Sequence, residues 1–198
     1  ITREMMEKYN RQKPIVYNTY QLYRKDKLAS LKADFAYAEV QNFHIGAKLV
    51  RGAYMEIERE RAAEKGYSSP IQLTKSDSDQ DYNSAILFCL DNLEKIGLMA
   101  GSHNETSCLL LAQEMHKRNI ANNHSNIFFA QLLGMSDNLT FNLAASGYNV
   151  AKYMPYGPVK SVMPYLFRRA QENTSVGGQT GRELGLIMKE KERRKATK

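Results

Sequence analysis

Short apolar runs of strand length alternate with longer stretches in which apolar residues recur every three or four positions. Residues 14–19 (PIVYNT) form the first β-rich run, and a polar helix is predicted over 25–40. GAKLVR at 46–51 is the next strand, followed by a helix over 55–65 rich in Glu and Arg. Residues 66–79, dense in Ser, Pro and Asp, read as a loop. A helix over 81–95 follows, with Ala85, Leu87, Phe88 and Leu90 supplying its apolar positions. The cycle repeats with a strand at 98–102 (LMAGS), a helix at 105–118, a strand at 126–130 (NIFFA) and a helical stretch through residue 142. A strand at 149–154 (NVAKYM) and a helix at 159–173, opened by Pro158, complete the pattern.

This order gives about five strand–helix units and predicts parallel strands joined by helical crossovers, hence an α/β fold. Five units are too few for a whole eight-fold barrel of about 250 residues. Periodicity leaves two architectures open: an open doubly wound sheet, or the back part of a β/α barrel.

Composition adds limits. With 198 residues, a quarter of them charged and 42% hydrophobic, the chain can bury one sizeable core. No apolar run approaches the roughly 20 residues that span a bilayer, and ITREMMEKYN at the start lacks the apolar middle of a secretory signal. Cys89 and Cys108 sit in apolar helical stretches and read as buried free thiols. Much of the net charge of +7 lies in the tail KEKERRKATK, behind a Gly-rich break at 176–178. That tail mixes Glu with Lys and Arg and reads as a solvated helix end, with an anionic membrane surface or acidic partner as the alternative. No basic stripe interleaved with aromatics is present, which points away from nucleic acid.

In both architectures active residues gather at the C-terminal strand ends and in the loops that follow. Placed there by the pattern are Asn18; Lys48, Arg51, Gly52 and Ala53; Ser102, His103 and Asn104; Gln131, Leu132 and Gly134; and Tyr153, Tyr156 and Gly157. Lys48 and Arg51 are three apart on a strand and are predicted to point to opposite sides. His44, His116 and His124 are scattered, with no ligand spacing, so no metal site is expected. In YLFRRAQE, Tyr165, Arg168, Arg169 and Glu172 share a helical face. Two guanidinium forks there suit a small carboxylic acid, while an ordinary Arg168–Glu172 helix pair is the competing reading. No GxGxxG, Walker or nucleophile-elbow motif is present.

KLVRGAY at 48–54, SHN at 102–104, QLLGM at 131–135 and KYMPYGPVKSVMPYLFRRAQEN at 152–173 resemble proline dehydrogenase in its eukaryotic mitochondrial form, as does VYNTYQ at 16–21. The matches run in family order over most of the chain. The resemblance implies the C-terminal part of a distorted (β/α)8 barrel over 1–176, with 177–198 as a C-terminal helix and basic tail. It implies non-covalent FAD, oxidation of L-proline to Δ1-pyrroline-5-carboxylate, and transfer of electrons to a membrane quinone, with peripheral association at the inner mitochondrial membrane.

By matched position, Arg168 and Arg169 would clamp the proline carboxylate. Tyr153 and Tyr165 would pack around its ring, with Leu132 and Ala53 as apolar neighbours. Lys48 takes the place of the cation near the flavin's reactive nitrogen. Asn18, Arg51, Gly52, Ala53, Ser78, Ser102, His103 and Glu172 match flavin-contacting positions. The similar hydroxyproline dehydrogenases carry a smaller residue where Tyr153 stands, so Tyr153 favours proline. A lysine and an aspartate of the family's first strands have no counterpart in this chain. The piece alone is therefore expected to be unstable and to bind FAD poorly, and a non-catalytic binding role is the alternative.

Overall fold

The computed structural model describes residues 1–175 and 179–196, with side chains described outside 170–183. Contacts divide the chain into two compact units, Ile1–Tyr153 and Met154–Lys198. The first unit runs α1 (Thr2–Tyr9), β1 (Asn18–Gln21), α2 (Lys27–Gln41), β2 (Ile45–Val50), α3 (Met55–Lys65), α4 (Lys75–Asp91), β3 (Ile96–Gly101), α5 (Glu105–Lys117), β4 (Ile127–Leu132), α6 (Asp137–Ala145) and β5 (Val150–Tyr153). The second holds α7 (Val159–Ser175) and α8 (Gln179–Ala196).

The five strands are all parallel and lie in the sheet in chain order, β1 to β5. A doubly wound sheet reverses its strand order at a switch point and carries helices on both faces. Here there is no reversal. Ile45, Ala47 and Leu49 of β2, Ile96, Leu98 and Ala100 of β3, and Ile127 and Phe129 of β4 share one core with Leu31 and Phe35 of α2, Tyr82, Ile86 and Cys89 of α4, Leu111 and Met115 of α5 and Leu143 of α6. Alternate strand residues thus feed a single helix-covered face, and the other parity lines the opposite, inner face. One-sided helices on sequentially ordered parallel strands are the arrangement of a β/α barrel arc.

Three local differences from the sequence reading have physical causes. Asn10, fully buried, accepts from the Ile15 and Val16 amides at 2.9 and 2.8 Å and donates to the Val16 and His44 carbonyls at 2.8 and 2.9 Å. Backbone groups bonded to this side chain are withdrawn from the ladder, so β1 begins at Asn18 rather than at residue 14. The polar segment α1 is helical because Met6 is anchored in the core. The loop predicted through residue 79 ends at Thr74, whose hydroxyl accepts from the Asp77 amide at 3.1 Å while Asp77 accepts from the Thr74 amide at 2.9 Å. This capping box starts α4 within the Ser- and Asp-rich stretch.

Cys89 and Cys108 are free and buried, and burial pushes both thiols upward in pKa, Cys108 to about 12. In α7, Pro164 stands just beyond the first turn, where its ring removes one main-chain hydrogen bond.

Candidate active site

Lys48 leaves β2 on the inner face, opposite in parity to the core residues Ala47 and Leu49. Its ammonium lies 5.4 Å from the centre of the Tyr153 ring on β5. Tyr153 pairs in register with Leu132, so both stand side by side at the C-terminal ends of β5 and β4. Between the lysine and the tyrosine the inner surface is low. Gly101, Ala130 and Ala151 are neighbours across three strands at one level. A Cβ at position 101 would press to 3.0 Å from the Leu49 carbonyl and 3.1 Å from Val50 Cγ1, so glycine permits the close approach of β3 to the end of β2. A row of glycine and alanines flanked by a cation and an aromatic ring leaves the inner face low at this level.

Arg51 takes the other side, as its spacing from Lys48 predicts. Nε donates to Asp79 Oδ1 at 2.5 Å, Nη1 to Ser102 Oγ at 2.8 Å and Nη2 to Ser107 Oγ at 2.8 Å. The guanidinium carbon sits 4.3 Å from the Tyr82 ring centre. Ser107 in turn donates to Asn83 at 2.7 Å, and Lys75 reaches the second Asp79 oxygen at 2.8 Å. The strand ends of β2 and β3 are thereby tied to the N-terminal half of α4 and the first turn of α5. Burial alone would raise the Asp79 pKa, but hydrogen bonds from Lys75 and Arg51, and their charges, outweigh it and hold the carboxyl below its ordinary range.

The remaining expected residues divide. Gly52 follows Arg51 with φ +130, and a Cβ there would overlap the Tyr23 ring, so the turn that presents Ala53 requires glycine. Ser102 is shared, accepting from Arg51 and from the Asn104 amide. His103 Nδ1 lies 3.0 Å from Ser136 Oγ, linking the ends of β3 and β4. Ser78 is on α4 rather than in a loop, is buried, and donates to the Thr74 carbonyl at 3.4 Å. Asn18 is the first residue of β1, level with Ala47 and on the helix-facing parity of Tyr20; it is not brought to the C-terminal end with the others.

In the second unit, Tyr165, Arg168 and Arg169 are half-buried on α7, and the Arg169 guanidinium lies 5.1 Å over the Tyr165 ring. Position 172 is within α7, but the Glu172 side chain lies outside the described residues.

Sequence reasoning missed Asp79, Tyr82, Asn83 and Ser107, the partners of Arg51. A Thr-x-x-Asp capping pattern at 74–77 was the available signal, since it starts the helix that carries three of them. It also missed Lys152, whose ammonium donates to the Leu132 and Met135 carbonyls at 3.3 and 2.6 Å and meets Asp137 at 2.7 Å, securing the loop behind Leu132.

A family model described as proline dehydrogenase matches residues 1–182. Proline dehydrogenase 1, mitochondrial, of Drosophila melanogaster is 44% identical over 98% of this chain and 30% of its own length. Hydroxyproline dehydrogenase of Xenopus laevis is 40% identical over 98% of the chain and 42% of its own length. The crystal structure of proline utilization A from Bdellovibrio bacteriovorus, inactivated by N-propargylglycine, superposes with a TM-score of 0.74 at 28% identity, over 80% of this chain and 16% of that one. The chain thus spans about a third of the length of the fly relative. Its barrel arc, its inner-face lysine and tyrosine, and a family match reaching past the paired arginines converge: the chain belongs to the proline dehydrogenase family.

Proposed function

We propose that this chain forms the C-terminal part of a flavin-dependent L-proline dehydrogenase barrel, producing Δ1-pyrroline-5-carboxylate. The observation that carries the reading is the convergence of Lys48, Tyr153 and Leu132 on an inner shelf floored by Gly101, Ala130 and Ala151. These residues fit FAD: the shelf admits a planar ring system, and a cation stands beside it. When bound, FAD supplies the hydride acceptor.

Lys48 then offers positive charge where negative charge develops, which is the electrostatic contribution expected of a preorganised cation. Arg51, Gly52, Ser102 and His103 would hold the cofactor, with Ser78 and Glu172 as further family-matched contacts, while Asn18, on the helix-facing side of β1, is set apart from them. By family match, Arg168 and Arg169 would supply two forks for the substrate carboxylate and Tyr165 would contact its ring, while Tyr153, Leu132 and Ala53 match the ring's apolar neighbours. The substrate's ammonium must lose its proton before hydride leaves, so the residues anchor and orient more than they abstract. Tyr153 fills the place where a ring hydroxyl would sit, which favours proline over hydroxyproline. The frog relative named hydroxyproline dehydrogenase keeps that second substrate in view.

Relatives named as mitochondrial support a mitochondrial location. The electrons would pass to a membrane quinone, with the protein peripheral to the inner membrane.

The test is the visible spectrum of purified protein, both as this chain and within any longer coding sequence that carries it. The longer protein is expected to be yellow, to bleach anaerobically with L-proline and not with hydroxyproline, and to lose bleaching at least about a hundredfold on Arg168→Ala, the loss of a charge-assisted fork. A longer protein that folds but holds no flavin would overturn the reading in favour of a non-catalytic binding role.

A further inference from the structure

Lys152 stands next to Tyr153 on β5, yet the two side chains leave the strand on opposite faces. Tyr153 meets Lys48 on the inner face. Lys152 shares the parity of Val150, which packs against the helix-covered core. It is therefore not placed to meet flavin or proline, and acts through what it holds. An ammonium has three N–H donors, and three acceptors surround this one. They are the Leu132 carbonyl at 3.3 Å, the Met135 carbonyl at 2.6 Å and Asp137 Oδ1 at 2.7 Å. All three belong to the turn that leads from the end of β4 into α6.

The backbone of that turn is unfavourable. Gly134 has φ +77, and Ser136 lies in the left-handed region at φ 51, which residues with a Cβ rarely adopt. The Met135 carbonyl gripped by Lys152 lies between them. Glycine at 136 would relax the backbone, so what serine adds is its hydroxyl, and Oγ stands 3.0 Å from His103 Nδ1. Thr140 secures the same residue from α6, donating to the Ser136 carbonyl from its amide and its hydroxyl at 3.1 Å each. The turn thus has Leu132, the register neighbour of Tyr153, at one end and reaches His103 at the other. We propose that Lys152 is a positioning residue for both halves of the site: by closing the β4–α6 turn it sets Leu132 for the substrate ring and, through Ser136, His103 for the flavin. The inference rests on the proposed function for the roles of Leu132 and His103.

Hydrogen exchange on the full chain, without flavin or proline, tests the grip by itself. Lys152→Met should speed exchange at Leu133 and Met135, whose amides bond to Tyr153 and Leu132, about tenfold, while β2 and β3 keep their protection. In the longer protein, FAD titration of the apoprotein and steady-state kinetics separate the two arms. Lys152→Met should raise both the FAD dissociation constant and the KM for proline about tenfold, with kcat at saturation within about threefold of wild type. Ser136→Gly should weaken FAD binding about fivefold and leave KM unchanged. Asp137, 59% exposed, adds little to the grip, so Asp137→Asn should keep both values within about twofold of wild type. Unchanged exchange in Lys152→Met, unchanged FAD affinity and KM in that variant, full FAD affinity in Ser136→Gly, or equal losses in Asp137→Asn would each overturn the proposal. A wild-type longer protein that takes up no FAD would overturn the proposed function, a result the exchange measurement does not share.

Discussion

Gly52 and Asp79 show how single positions shape the strand ends. Gly52 combines a φ of +130 with contact against the Tyr23 ring. Alanine there meets both a strained backbone and an aromatic wall, and should lower stability by about 2–4 kcal/mol, read as a shift of the urea midpoint at constant slope. Asp79 carries a pH signature. Its folded pKa lies below the unfolded value, so its stabilisation is fully present above about pH 4 and is lost as pH falls through the depressed folded pKa. Wild type should therefore be more stable than Asp79→Asn at neutral pH, and the gap should close on acidification. A gap constant from neutral to acid would show that the Arg51 pair contributes nothing through ionisation.

At the scale of elements, the first unit depends on side chains that settle backbone accounts. Asn10 uses two donors and two acceptor positions to fix residues 15–16 and the start of β2. Asn10→Ala would leave those buried groups without partners, and a loss of about 2–4 kcal/mol follows from one to two unsatisfied groups beyond what water can reach. Hydrogen exchange should then quicken first at Ile15, Val16 and His44. An exchange pattern that quickens evenly across all five strands would contradict the local role. Lys152 performs a similar task at the other end of the sheet, where it binds two carbonyls of the turn behind Leu132.

For the whole molecule, the sheet is an arc whose outer members, β1 and β5, each pair with a single neighbouring strand among the described residues. Parallel edges of this kind template further pairing. Expressed as this chain alone, the protein should self-associate with rising concentration in sedimentation velocity. A sharp, concentration-independent monomer would show that the arc is protected by other means.

Much of the architecture was legible from local pattern. The helix at Met55–Lys65 matches its prediction, and α2, α5 and the later strands fall within one to three residues of theirs, because buried periodicity and backbone propensity are properties of neighbouring residues. Period-two alternation likewise separated Lys48 from Arg51 correctly. Local pattern failed where a distant group intervened, as when Asn10 shortened β1, or where a capping box lay hidden in a polar stretch. The partners of Arg51 stand 28, 51 and 56 residues away, and no spacing rule reaches that far.

By itself, then, the sequence determined the α/β class, the order of elements and, through its motifs, the family. Only the tertiary structure decided that the strands lie in chain order with helices on one face, and that Gly101, Ala130 and Ala151 share a level between those of Lys48 and Tyr153. Element type follows from interactions within a few residues, whereas strand order and site assembly follow from which non-local hydrogen bonds and apolar contacts close the core together.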